Sequence, residues 1–264
     1  MLFWNIIFML VSTLLIASIT LFERKLLALL QRRVGPNFVG YKGRLQYLAD
    51  ALKLLTKNVI IPYESNRFWF IFAPAFAGSV CYSFWINSIW GPSISIFDIE
   101  YNIVYASILS VLFGLCLLLA GYFSKNKYAA LASFRCGLMM ANLEILLGLL
   151  LLNVVLIGES FTFSSYVNYQ ETTWTLFIFA NMIAAILITF LLEVSRTPFD
   201  LAEAESELVA GYSTEYGGFY FALFYLGEYF HLFFFSLVIS TLFLGGWEWP
   251  FLLFFVSPTY MLIW

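Results

Sequence analysis

EVSRTPFDLAEAESELVAGYSTEY, residues 193–216, sets Glu193, Asp200, Glu203, Glu205, Glu207 and Glu215 against one cation, Arg196. Elsewhere the chain is apolar: 62% of its 264 residues are hydrophobic and 11% are charged. Local signals predict a loop helix over 197–212. Thr197 suits the N-cap, Pro198 the first helical position, and Asp200 the free amides of the first turn, where a negative charge complements the helix dipole. At roughly 100° per residue, Asp200, Glu203 and Glu207 share one stripe while Glu205 points elsewhere. Leu201, Ala202, Ala204, Leu208 and Val209 are interleaved with these acids. A solvated acidic helix is one reading. The other places several carboxylates at a membrane boundary or inside protein, where a low dielectric keeps some protonated and lets them exchange protons as neighbouring charges change.

Working outward, long apolar runs flank this stretch on both sides. A mean hydropathy of +0.89 and recurrent uncharged runs of about twenty residues define a polytopic α-helical membrane protein. A β-barrel is excluded because the runs are continuously apolar and lack a two-residue alternation. The expected spans are residues 1–22, 68–97, 101–124, 136–157, 172–193 and 216–247, with a partial seventh at 249–264. No basic residue precedes the first span and no small-residue cleavage site follows it, so it does not read as a signal or transit peptide. Residues 23–67 form a basic interfacial segment holding nine of the chain's thirteen Lys and Arg residues. Gly35, Pro36, Asn37, Gly40 and Gly43 mark turns there. From Leu45 to Lys57 the pattern becomes helical, with Leu48, Leu52 and Leu55 on one face, as in an amphipathic helix lying on a membrane surface; a plain basic loop on anionic lipid is the alternative. Lys125, Lys127 and Arg135 fall in the loop before the fourth span.

Two more features sit within spans. Glu144 lies eight residues into the fourth, about 12 Å along a helix, where a carboxylate must face protein or water; a proton-handling group and an interhelical hydrogen bond both fit. Glu228 and His231, the only histidine, are three residues apart on one face of the sixth span, which suits either a proton relay or one interhelical hydrogen bond. With six spans, every Lys and Arg falls in the loops after spans one, three and five or at the ends of those helices, and the opposite loops hold only acids. That asymmetry places the amino terminus outward and the basic loops inward.

Soluble enzyme motifs are missing: there is no phosphate-cradling glycine loop, no HExxH and no nucleophile elbow. Cys81, Cys116 and Cys136 stand apart from one another, a spacing that suggests neither a cluster nor a zinc site. Nucleic-acid binding is unsupported, because the basic residues lie against a membrane without a stacking module.

Two strings carry a resemblance: ERKLLALLQRRVGPNFVGYKGRLQYLADALKLLTK (residues 23–57) and EVSRTPFDLAEAESELVAGYSTEYGGFYFALFYLGEY (residues 193–229). They resemble the chain 1 family of NADH:ubiquinone oxidoreductase, the complex I membrane subunit joining the membrane and peripheral arms. SKNKYAALASFRCGLMMANLE (residues 124–144) is a weaker third match, and the likeness covers about nine tenths of the chain. It implies a share in the ubiquinone tunnel, with its mouth among the first span, the surface helix and the sixth span; Arg24, Arg33, Ala51, Lys53, Phe221 and Phe224 are the quinone-site residues so implied. It also implies a proton path through Glu144, Glu193, Asp200, Glu203, Glu205, Glu207 and Glu228. Ubiquinone is then the substrate of the assembly, and the chain itself holds no catalytic residue, flavin, iron–sulfur cluster or metal. The implied partners are the quinone-site subunits of the peripheral arm, small neighbouring membrane subunits and lipid. The implied location is the mitochondrial inner membrane, or alternatively the bacterial plasma membrane.

The chain departs from the family pattern at Asn58, where the family usually carries Glu, and at Met140 and Leu143, which replace more polar residues. Residues 249–264 as a helix reach only about 24 Å and include Pro258, whereas family members continue through two further spans. The expectation is that a second, separately encoded polypeptide supplies these. Outside the family, an ion-coupled secondary transporter would also bury carboxylates but predicts internal repeats, of which none is evident; a purely structural membrane anchor is the remaining alternative.

Overall fold

The computed structural model describes residues 2–87, 99–170, 174–196, 199 and 211–247, with side chains from Leu10 onward. All regular elements among these are helical: α1 (Leu2–Leu30), α2 (Gln46–Thr56), α3 (Arg67–Ile86), α4 (Asn102–Phe123), α5 (Lys127–Gly158), α6 (Phe163–Tyr169), α7 (Thr175–Ile178), α8 (Ile183–Glu193) and α9 (Gly218–Phe243). Single 3-10 turns lie at Tyr41–Gly43, Ala180–Met182 and Gly211–Ser213. Helices α3, α4, α5 and α9 are each long and apolar enough to cross a membrane, and Ala180–Glu193 is a shorter apolar helix.

The heart of the bundle is where α3, α4 and α9 meet, with α5 packed on α4. Phe70, Ala73, Ala77, Cys81 and Phe84 of α3 pack with Phe113, Cys116 and Ala120 of α4 and with Phe224, Phe230, Phe234 and Leu242 of α9. In lipid the burial of such side chains is no gain by itself, so close van der Waals approach must hold the helices together. Gly227 marks that approach: a Cβ there would lie 2.7 Å from the Phe113 ring and 3.0 Å from Cys81 Sγ. Helix α1 packs on α9 and on α2, and α2 in turn packs on α9.

Helix ends depart from the spans expected from hydropathy because caps, and not charge, set them. Helix α1 runs on past residue 22 to Leu30, carrying the first charges of the basic segment with it. It ends with Arg32 at φ 54 and with Arg33 N–H donating to Ala28 O at 2.9 Å, a Schellman closure with a non-glycine left-handed residue. Helix α3 stops at Ile86, where Asn87 caps it; residues 88–97 of the expected span lie outside the described residues. Helix α5 starts nine residues earlier than expected, because Asn126 Oδ1 accepts the Tyr128 amide at 3.0 Å and nucleates the first turn. Lys127 and Arg135 are therefore helical, not in a loop.

The span expected over 172–193 is divided into α7, a 3-10 turn and α8. Its amino-terminal end is held by a buried polar knot: Gln170 Nε2 donates to Thr241 O at 2.9 Å and Leu242 O at 3.1 Å, and Thr175 Oγ1 donates to Leu242 O at 2.5 Å. These bonds satisfy carbonyls that the end of α9 would otherwise leave open. Nearby, the Tyr166 hydroxyl donates to Val154 O at 3.2 Å and Ser160 O at 2.8 Å, folding α6 over the end of α5. Burial pushes that phenol's pKa up. Most of the expected acidic loop helix over 197–212, with Thr197, Asp200, Glu203, Glu205 and Glu207, and the partial span over 249–264 lie outside the described residues.

Candidate functional site in a buried acidic cavity

The last turn of α8 aims the site. Ser195 takes φ 52, its amide donates to Leu192 O at 3.1 Å, and the Arg196 amide donates to Leu191 O at 3.2 Å. This Schellman pairing closes the helix and turns the chain back, leaving Glu193 on the last helical position and Arg196 just beyond it. Together with Phe113, Leu117, Met140, Val194, Tyr212, Tyr225, Glu228, Tyr229 and His231 they line a cavity of about 150 Å³. That volume accommodates ordered water.

Glu193 is 3% exposed, as is His231 of α9, and Oε1 of the first lies 3.4 Å from Nε2 of the second. The distance permits charge pairing, yet the alignment is not that of a hydrogen bond, and neither atom has a hydrogen-bond partner among the described residues. Glu228, three residues before His231, instead accepts the hydroxyl of Tyr212 at Oε1. Tyr212 is carried by the Gly211–Ser213 turn, which rests on α4 and α5 and brings the end of the acidic stretch to the bundle.

Glu23, from α1, closes the other side. Its carboxylate accepts Arg196 Nη1 at 2.8 Å and Nη2 at 3.4 Å, a fork-on-carboxylate pair, and also the Tyr229 hydroxyl at 2.5 Å. The Arg196 guanidinium lies over the Tyr229 ring at 5.1 Å, within cation–π range, and the Tyr225 and Tyr229 hydroxyls are 3.2 Å apart. Burial opposes the charge on Arg196, but the Tyr229 hydroxyl and the Glu23 carboxylate more than offset it, so the guanidinium lies above its ordinary range. Two carboxylates, an imidazole and several phenols thus surround one small cavity, with a clasped carboxylate–guanidinium pair at its edge. Such a set can pass protons over short steps.

The residues expected for a quinone site are spread over adjoining elements. Arg24 pairs with Asp50 at 2.5 Å, joining α1 to α2. Arg33, Ala51 and Lys53 are exposed. Phe221 stacks on Tyr225 with ring centroids 6.0 Å apart, and Phe224 is buried edge-on against Tyr212 and Tyr216. Glu193 and Glu228 meet at the cavity. Glu144 is exposed on the isolated chain, one turn beyond Met140, which lines the cavity. Asp200, Glu203, Glu205 and Glu207 lie outside the described residues. Sequence reasoning missed Glu23, Tyr212 and Tyr229. For Glu23 a signal existed: like Glu193 it closes a long uncharged run.

Helices long and apolar enough to cross a membrane, arranged around a cavity lined by acids, define a polytopic membrane protein that carries ionisable groups between its spans. Comparison with known sequences makes the class specific. The NADH dehydrogenase family profile matches residues 4–264. NADH-ubiquinone oxidoreductase chain 1 of Paramecium tetraurelia is 67% identical over 248 residues, covering 94% of this chain and 95% of that one. Chain 1 of Chondrus crispus is 39% identical over 92% of this chain and 76% of its own. A bacterial relative, from the NADH-quinone oxidoreductase of Rhodospirillum centenum, is 40% identical over 88% of this chain and 69% of its own. The chain belongs to this NADH dehydrogenase chain 1 family, and is a membrane component of NADH-quinone oxidoreductase, complex I.

Proposed function

We propose that this subunit forms part of the ubiquinone channel of complex I and carries the first steps of charge transfer from the quinone into the membrane. The observation that carries the reading is the cavity in which Glu193, Glu228, Tyr212 and His231 converge. The packing of α1, α2 and α9 on one another supports a channel mouth there, with Arg24, Arg33, Ala51 and Lys53 on its polar side and Phe221 and Phe224 on its aromatic side. An apolar quinone tail needs aromatic walls, and a reduced headgroup gains from nearby cations. The proton path then includes Glu144, Glu193, Asp200, Glu203, Glu205, Glu207 and Glu228. Ubiquinone is the substrate, and redox cofactors belong to neighbouring subunits.

The finer architecture is part of the same proposal. Six spans cross the mitochondrial inner membrane, α2 lies along its surface, and the basic loops face the matrix with the amino terminus outward. The one-sided placement of Lys and Arg supports this orientation. The test is replacement of Glu193 and Glu228 by Gln in assembled complex I. Quinone reduction and proton pumping are expected to fall together by about tenfold or more, in line with the loss of a proton-transfer group. Wild-type rates and pumping ratios in both variants would overturn the assignment.

A further inference from the structure

We propose that His231 is the proton-holding partner of Glu193, so that the two residues form one coupled protonation site facing the cavity. The inference rests on the proposed charge-transfer role of that cavity and adds a residue to it. Three observations carry it. The imidazole is 3% exposed, yet its Nε2 has no hydrogen-bond partner among the described residues and lies 3.4 Å from a carboxylate oxygen that has none there either. Buried polar atoms are rarely left open, and two such atoms this close together beside a cavity with room for water can exchange a proton through that water. Aromatic rings pack around the imidazole: Phe84, Phe113 and Phe235 lie at centroid distances of 5.4, 5.3 and 4.7 Å. Their π faces tolerate an imidazolium while offering no competing acceptor, so Glu193 and the cavity are left as its exchange partners.

Charged and titratable groups reach the pair from every element packed around it. Besides Glu193 on α8, Arg196 follows that helix, Tyr212 comes from the Gly211–Ser213 turn, and Tyr225, Glu228 and Tyr229 come from α9 itself. Helices α3 and α4 bring Phe84 and Phe113, with the buried thiols Cys81 and Cys116 one turn away; α5 brings Met140, with Glu144 one turn on. Glu23 of α1 acts through Arg196 and Tyr229. In the transfer, the Nε2–H bond breaks and an O–H bond forms on Glu193, the electron pair stays on the nitrogen, and an ion pair becomes a neutral pair. Because the groups interact, a change of charge at Glu228 or at the Arg196–Glu23 pair shifts the proton count of the couple as a unit.

The experiment uses assembled complex I in native membranes carrying His231→Asn or His231→Gln, with Glu193→Gln as reference. NADH-quinone reductase activity and proton pumping are followed from about pH 5 to 8, the range in which a free imidazole changes charge, alongside redox-induced infrared difference spectra. Expected results are normal assembly, a fall of about tenfold at neutral pH, loss of one limb of the pH profile, and loss of an imidazole band. Wild-type pH profiles and infrared bands in the His231 variants, with Glu193→Gln impaired, would overturn the coupled pair and leave the cavity's role standing. If Glu193→Gln is silent as well, the charge-transfer role of the cavity fails with it. Should neither His231 variant assemble, infrared spectra of the unaltered enzyme decide: absence of any redox-linked imidazole signal overturns the proposal.

Discussion

Glu23 and Arg196 lie 173 positions apart in the chain and 2.8 Å apart in the fold. At the residue scale this pair matters more for position than for stability. Both side chains keep roughly a third of their exposure, so solvent screening limits the pair to about 1 kcal/mol or less. Its geometric effect is larger, because Glu23 also anchors the Tyr229 hydroxyl and so fixes three groups at the cavity edge. Glu23→Gln should leave the amount of assembled complex unchanged on a native gel while lowering quinone reductase activity severalfold. Arg196→Lys, which keeps the charge but loses the fork, should shift activity in the same direction. Wild-type rates in both would mean that the clasp has no part in the reaction.

At the scale of the element, the end of α8 is the most exacting. Ser195 holds a left-handed conformation at φ 52, which costs an L-residue of order 1 kcal/mol and a β-branched one more. The strain is retained because the two Schellman hydrogen bonds turn Arg196 back toward Glu23. Ser195→Gly should therefore be tolerated, whereas Ser195→Val should destabilise by about 1–3 kcal/mol and release Arg196. Thermal inactivation of the assembled complex checks the order; equal half-lives for the two variants would contradict it. Helix existence was legible in the apolar runs, but helix ends were not. Asn126 extends α5 across Lys127 and Arg135, residues whose charge suggests a loop, because a cap is a local hydrogen bond that hydropathy does not register.

Across the whole molecule, the faces of α5 differ. One packs on α4, while the other exposes Leu138, Ile145, Leu149, Leu152 and Leu156, with Glu144 exposed at its flank. Lipid accepts those leucines, but a carboxylate at that depth is costly unless protein or water covers it. Within complex I, a neighbouring subunit should cover this face around Glu144. Cysteine placed at position 144 should resist a membrane-permeant maleimide in the intact complex and react after the complex is dissociated in detergent. Equal labelling in both states would show that no neighbour lies there.

Class, helical character and the family itself follow from the sequence alone, because hydropathy is summed over local windows and the strings at 23–57 and 193–229 are long. The candidate acids Glu193 and Glu228 were legible for the same reason: each interrupts or closes an apolar run. Their partners were not. The spacing of Glu228 and His231 suggested that they work as a pair, yet Tyr212 bonds Glu228 and Glu193 faces His231. Those pairings depend on how closely α9 seats against α3 and α4, which Gly227 permits by lacking a Cβ, and on the turn that brings residues 211–213 back onto α4 and α5. Contacts between residues many tens of positions apart are set by helix packing, so only the tertiary structure decided which charges share one cavity.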